Sequence, residues 1–162
     1  MLDQTQFLNH FINHFQTCKS SEFILRSPAS FESWFRAEIP IVLKNWYPLS
    51  NISTNFDYPD KNTKADLDVR TEKERIVFEL KSFVLHQDAK KKESFPKQIK
   101  SLETIVDNNY CNQGITFTTF MNYSEKQLDS MLGKFFTNNK WKSVRKGMPN
   151  SKFVFHISSY TV

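Results

Sequence analysis

The chain has only three glycines in 162 residues. That scarcity excludes the Gly-rich phosphate loops of dinucleotide-binding and P-loop proteins, which need several glycines at fixed offsets. Cysteine is equally sparse. Cys18 and Cys111 stand alone, neither in a CxxC pair, so the sequence implies no disulfide framework and no readable zinc motif. Two reduced, buried thiols in a cytoplasmic protein are the plain expectation. No apolar run approaches the roughly 18 residues of a membrane span, and the first residues lack the basic-then-apolar pattern of a secretion signal. Repeats and low-complexity linkers are also missing. A single domain over residues 1–162 is expected, long enough to bury a sizeable core.

Phenylalanine is what the chain has in abundance: 16 residues, within an aromatic content of 15% and a hydrophobic content of 39%. The net charge is +5 and the pI about 9.2, a balance compatible with a nucleic-acid partner without requiring one. Asp3 with Gln6 predicts a helix start, and Phe7, Leu8, Phe11, Ile12 and Phe15 recur on one face up to about Cys18. This stripe is also a candidate dimer surface. A second helix is expected from Ser30 through Phe31, Trp34 and Phe35, kinked or broken at Pro40. Residues 51–58 read as a strand and 59–64 as a polar loop. Residues 64–83, KADLDVRTEKERIVFELKSF, read as a hairpin whose turn lacks Asn-Gly or Asp-Gly. A basic loop over 85–93 precedes a helix expected to start at Ser94 and Pro96, with Ile99, Leu102, Ile105 and Val106 inward. A strand over 114–122, a helix opened by Ser124 and Gln127, and a strand over 152–158 complete an α, α, β, β, β, α, β, α, β order. That order suits one sheet with helices packed on it.

The hairpin poses the chemical question. Side chains alternate along a strand, so Glu79 and Lys81 share a face with Val77 while Ile76, Phe78 and Leu80 take the other. Asp66 and Asp68 share a face of the preceding strand. A turn centred on Glu72 and Lys73 sets Asp66 opposite Glu79, and a slip of two sets Asp68 there. Only a one-residue slip separates the acids. Two adjacent carboxylates repel, and one takes a proton unless a cation neutralises the pair. A hard divalent cation with oxygen ligands does so, and Asp66, Glu79 and the Leu80 carbonyl form such a set for Mg²⁺ or Mn²⁺. Lys81 beside it suits in-line hydrolysis of a phosphodiester.

This pattern resembles the PD-(D/E)xK nuclease superfamily, with Ala65-Asp66, twelve intervening positions and Glu79-Leu80-Lys81 carrying the likeness. The hairpin spacing is similar to that of Holliday-junction resolvases. The resemblance implies a restriction-endonuclease-like α/β fold with an αβββαβ core, matched here over residues 31–121. It also implies a DNA substrate, RNA remaining open. Glu38 in SWFRAEI corresponds to a glutamate that an upstream helix contributes in many members, and Gln98 in FPKQIKSL to a glutamine on the following helix. Asp68 and Asp60, the latter in a literal Pro-Asp, remain rivals to Asp66. Asp88-Ala89-Lys90 also satisfies the tripeptide and is read as loop.

The cations nearby fit a phosphate backbone. Lys90, Lys91, Lys92, Lys97 and Lys100 follow the motif, and Lys140, Lys142, Arg145 and Lys146 surround Trp141. Both runs read equally well as solvated surface, the second as a surface hairpin or loop anchored by Trp141. His10, His14, His86 and His156 show no metal-ligand spacing. So small a chain has little room for a separate recognition domain, which points to a homodimer or a subunit of a larger nucleic-acid-processing complex. Two rival classes stand beside the nuclease: a non-catalytic nucleic-acid-binding subunit on the same fold, and a protein-interaction domain that contacts no nucleic acid.

Overall fold

A computed structural model describes residues 1–18, 31–48, 50–58 and 64–162. The expected helix start at Ser30, the loop over 59–63 and the rival ligand Asp60 lie outside the described residues. Helix α1 spans Gln4–Thr17, where the Asp3 carboxylate caps the backbone N–H of Gln6 at 2.9 Å. Capping satisfies an N–H that has no partner within the helix. Helix α2 spans Phe31–Trp46 and continues through Pro40. Of the expected kink or break, the break does not occur. Proline removes one backbone hydrogen bond, but Phe35 and Ile39 before it and Val42 and Leu43 after it are all fully buried. Burial on both sides of Pro40 offsets that loss.

Strand β1 is Asn51–Asp57, β2 is Lys64–Arg70 and β3 is Arg75–Val84. The β2–β3 turn is organised by Thr71. Its hydroxyl accepts the N–H groups of Lys73 and Glu74 at 3.2 and 3.0 Å, and its own N–H donates to the Glu74 carbonyl. A threonine thus replaces the Asn-Gly signal. Helix α3 is Ala89–Asp107 and contains Pro96 in its interior. It begins five residues before the expected Ser94, so Lys90, Lys91 and Lys92 lie on helical turns, not on a loop. Strand β4 is Gln113–Met121, and α4, Glu125–Phe135, opens with the complete Ser124–Gln127 capping box. Strand β5, Lys142–Gly147, and β6, Phe153–Tyr160, form a closing hairpin. The basic run after Trp141 is therefore a sheet-edge strand.

The result is a mixed α/β architecture: among the described residues, four helices and one six-stranded sheet of order β1-β2-β3-β4-β6-β5. β3 and β4 pair in parallel across the α3 crossover, and every other pair is antiparallel. Helices α1 and α2 pack on one face against Leu67, Val69, Ile76, Phe78, Leu80, Ile115, Phe117, Phe155 and Ile157. The Phe stripe of α1 is spent in this core: Phe7, Phe11 and Phe15 are fully buried, and Phe11 meets Phe117 edge-on at 4.8 Å. That removes it as a dimer surface. Helices α3 and α4 cover the other face, over Val77, Phe83, Phe120 and Tyr160. No described helix is long and apolar enough to cross a membrane.

Candidate functional site

Two rows of polar residues cross the sheet on its α3/α4 face. Cross-strand partners point to the same face, so one row runs from Glu79 through Thr116 and Ser158 to Ser143, and the other from Lys81 through Thr118 and His156 to Arg145. The β2–β3 register pairs Leu67 with Phe78, and its next step brings Asp66 opposite Glu79. The ladder is broken at that step on both sides. Paired residues end at Leu67 and Phe78 toward β3, and β1–β2 pairing skips Asn55 and Asp66. Asn55 takes a left-handed φ of 53° there, a conformation asparagine tolerates better than most residues. Into this gap the Asp66 carboxylate accepts the Leu80 backbone N–H at 2.8 Å. A strand residue directs N–H and C=O to the same edge, so the Leu80 carbonyl faces the same gap.

Asp66, Glu79 and Lys81 are 9%, 1% and 8% exposed. The Tyr58 hydroxyl donates to one Glu79 oxygen at 2.6 Å, and the other oxygen is buried without a hydrogen-bond partner among the described residues. Burial, reinforced by the neighbouring Asp66 charge, pushes the Glu79 carboxyl up to about 8, against the opposing pull of the Tyr58 hydrogen bond and Lys81. Burial also raises Asp66, opposed by the Leu80 N–H, Arg36 and Lys81. The pair is thus short of positive charge: at neutral pH Glu79 holds a proton where a cation would otherwise sit.

The rim brings together residues that the sequence reading missed. Arg36 pairs with Asp66 at 3.0 Å and with Glu32 at 3.2 Å. Lys91 donates to Glu32 at 2.6 Å and to the Ser82 carbonyl at 3.0 Å. Burial pushes Glu32 up, but the Lys91 hydrogen bond and the charges of Lys81, Lys91 and Arg36 outweigh it and hold the carboxyl below its usual value. The α2 glutamate near the paired acids is therefore Glu32. Glu38 bonds His14 on α1 at 2.7 Å. Six residues advance a helix by about 600°, so Glu38 lies about 120° around α2 from Glu32. The signal was present: Glu32 and Arg36 are four apart on one flank of the Phe31–Phe35–Ile39 stripe, and Glu38 is on the other.

Asp68 is held by arginines. It is fully buried and accepts from Arg75 at 2.9 and 3.0 Å and from Arg70 at 2.8 Å. Gln98 lies on α3 with its side-chain oxygen buried and without a partner among the described residues. Lys97 and Lys100 line an open cleft of about 600 Å³ together with Tyr58, Ser101, Thr104 and Tyr110. Tyr58 links that cleft to Glu79. Lys92 pairs with Asp88 at 2.9 Å. Lys142 and Arg145 belong to β5, separated from β3 by β4 and β6, and Arg145 is bound to Glu125 and Asp129 at 2.8 and 2.6 Å. The structure does not bring these two beside the acids.

The donor set around Asp66 is all oxygen, and Glu79 retains a buried oxygen without a partner. Both features fit a hard divalent cation. Comparison with known proteins returns no match, whether to protein-family models, to curated proteins or to solved structures. The class defined by fold and site is a mixed α/β protein with paired buried carboxylates and a lysine on one sheet face.

Proposed function

We propose that the chain is a metal-dependent nuclease that hydrolyses phosphodiester bonds in DNA, on a restriction-endonuclease-like version of this fold. The observation that carries the reading is the meeting of Asp66 and Glu79 beside Lys81, with Glu79 forced to keep a proton. Asp66, Glu79 and the Leu80 carbonyl would hold Mg²⁺ or Mn²⁺. When bound, such an ion supplies charge neutralisation at the phosphate and a more acidic water.

The remaining roles fall to the chain. Arg36 neutralises Asp66 and, with a metal ion held there, would be free to bind a phosphate oxygen instead. Lys81 sits where negative charge develops and offsets it. Lys91, held by Glu32 at the rim, positions the backbone of the nucleic acid. Tyr58 keeps the Glu79 carboxyl in one orientation. One observation favours a second reading: the acids are almost closed from solvent and Asp66 already has Arg36. A non-catalytic DNA-binding subunit would keep that arrangement.

Cleavage separates the two. Supercoiled, linear, single-stranded and branched DNA are incubated with the protein and Mg²⁺, Mn²⁺ or EDTA. Cutting is expected with either metal and not with EDTA. Glu79→Ala and Lys81→Ala are expected to slow it by at least about 100-fold, the scale on which removal of a charge-stabilising group acts. Variants that cut as well as the parent would overturn the assignment of these residues.

A further inference from the structure

A second cluster lies away from the paired acids, at the junction of α1 and α2. His14 and Cys18 are four apart, His14 in the last turn of α1 and Cys18 at its C-cap. That spacing stacks them on one helix face. Glu38 approaches from α2, and its carboxylate meets His14 Nε2 at 2.7 Å. One ligand atom from each residue, an imidazole nitrogen, the Cys18 Sγ and a Glu38 oxygen, lies within 4.8 Å of the other two. All three side chains are half-buried, neither sealed from ions nor freely mobile. We infer that His14, Cys18 and Glu38 bind one Zn²⁺ ion and thereby clamp the end of α1 to α2.

The ligand types select the metal. Zinc bonds nitrogen, sulfur and oxygen at about 2.0–2.3 Å, which places tetrahedral ligands roughly 3.3–3.8 Å apart. The cluster reaches that spacing with shifts of about an ångström. Zinc would replace the hydrogen bond between His14 Nε2 and Glu38, with the neutral imidazole carrying its single proton on Nδ1 and the Cys18 thiol releasing its proton to solvent. One thiolate and one carboxylate balance the two charges of the ion, and a water completes the tetrahedron. Thiolate is too soft a ligand to favour Mg²⁺ or Ca²⁺. The chain would then sort two kinds of metal by ligand chemistry, the hard cation on the all-oxygen set and zinc here. Neither cysteine spacing nor histidine spacing announces this site, because the third ligand comes from a helix 20 residues later in the chain.

The test uses the full chain, reduced and stripped of metal. One equivalent of Zn²⁺ per chain is expected to remain after dialysis and to raise the Tm. Co²⁺ in its place should show thiolate-to-cobalt charge-transfer absorption. Cys18→Ser should abolish that absorption. Both Cys18→Ser and His14→Gln should weaken zinc binding by at least about 100-fold, since loss of a ligand exceeds loss of an outer partner. A large excess of Mg²⁺ should not displace the zinc. Substoichiometric zinc, an unaltered affinity in both variants, or displacement by Mg²⁺ would overturn the proposal. Each variant leaves Asp66, Glu79 and Lys81 untouched, so DNA cleavage reports independently on the other site.

Discussion

The two faces of the sheet are built from the same strands and could hardly differ more. Under α1 and α2 the inward residues are mostly apolar, with Ser82, Gln113, Thr119 and Ser159 as buried polar exceptions, and Phe7, Phe11, Phe35, Phe117 and Phe155 interlock there. Under α3 and α4 the apolar residues frame two polar rows running from Glu79 and Lys81 to Ser143 and Arg145. Alternation makes this division of labour possible: each strand can supply packing to one side and chemistry to the other. Buried charge on the second face costs free energy, and the dense aromatic packing of the first offsets it. Stability and reactivity are thereby partly separable by single substitutions.

The largest stability effect is expected on the apolar face. Phe117→Ala removes a fully buried ring that touches Phe7, Phe11, Phe35 and Phe155. Urea unfolding should show a loss of about 3–5 kcal/mol. A loss below about 1 kcal/mol would mean that this face is not the main core.

Next comes a contrast within the polar face. Asp68→Ala removes the buried acceptor that Arg75 and Arg70 share and should cost about 2 kcal/mol, the scale of lost hydrogen bonds to a charged group. Asp66→Asn keeps an acceptor for the Leu80 N–H and removes a charge that burial disfavours. Its stability change should stay under about 1 kcal/mol. Equal costs for the two would erase the distinction between the structural acid and the site acid.

The gentlest probe is pH, with unfolding measured in EDTA. Glu79 titrates at about 8 in the folded protein, against an ordinary value of 4.5. Between those values the folded state keeps a proton that the unfolded state has lost, so stability falls as pH rises through the window. Its steepest slope is about 1.4 kcal/mol per pH unit. Glu79→Gln should flatten that fall. His156 has the opposite sign. Burial, aided by the Arg145 charge, pushes its imidazole down to about 3 from 6.5. Its contribution is complete above about 6.5 and is lost as pH falls toward 3, since only the unfolded imidazole takes the proton. His156→Gln should flatten that limb. A native protein whose stability does not change with pH across both windows would contradict the polar face as described.

Legibility followed range. The caps at Asp3 and Ser124 and the alternation within β3 are local, and each was readable from a few neighbouring residues, while the hairpin register was readable only to within a slip of two. Helix α3 was read too short because Ser94 and Pro96 look like a helix start and the run over 89–93 before them carries no apolar repeat, whereas at Pro40 the proline outweighed an apolar stripe that continues past it. A missing N–H is a local signal, while the burial that overrides it depends on a sheet many residues away. Asp66, Glu79 and Lys81 were legible because two adjacent strands hold them. Tyr58 was not, and for Glu32 and Arg36 the sequence shows only that they share one flank of the α2 stripe, not that this flank faces the gap.

The sequence by itself determined that alternating side chains place Glu79 and Lys81 on one face of β3, and that the hairpin brings an acid from β2 alongside. Only the tertiary structure decided which acid is committed to arginines, which helical glutamate looks into the gap and which one meets His14 and Cys18. Strand periodicity and turn symmetry are carried by covalent neighbours. The rotation of α2 against the sheet is fixed by packing around Phe31, Phe35 and Ile39, and that packing exists only once the chain has folded.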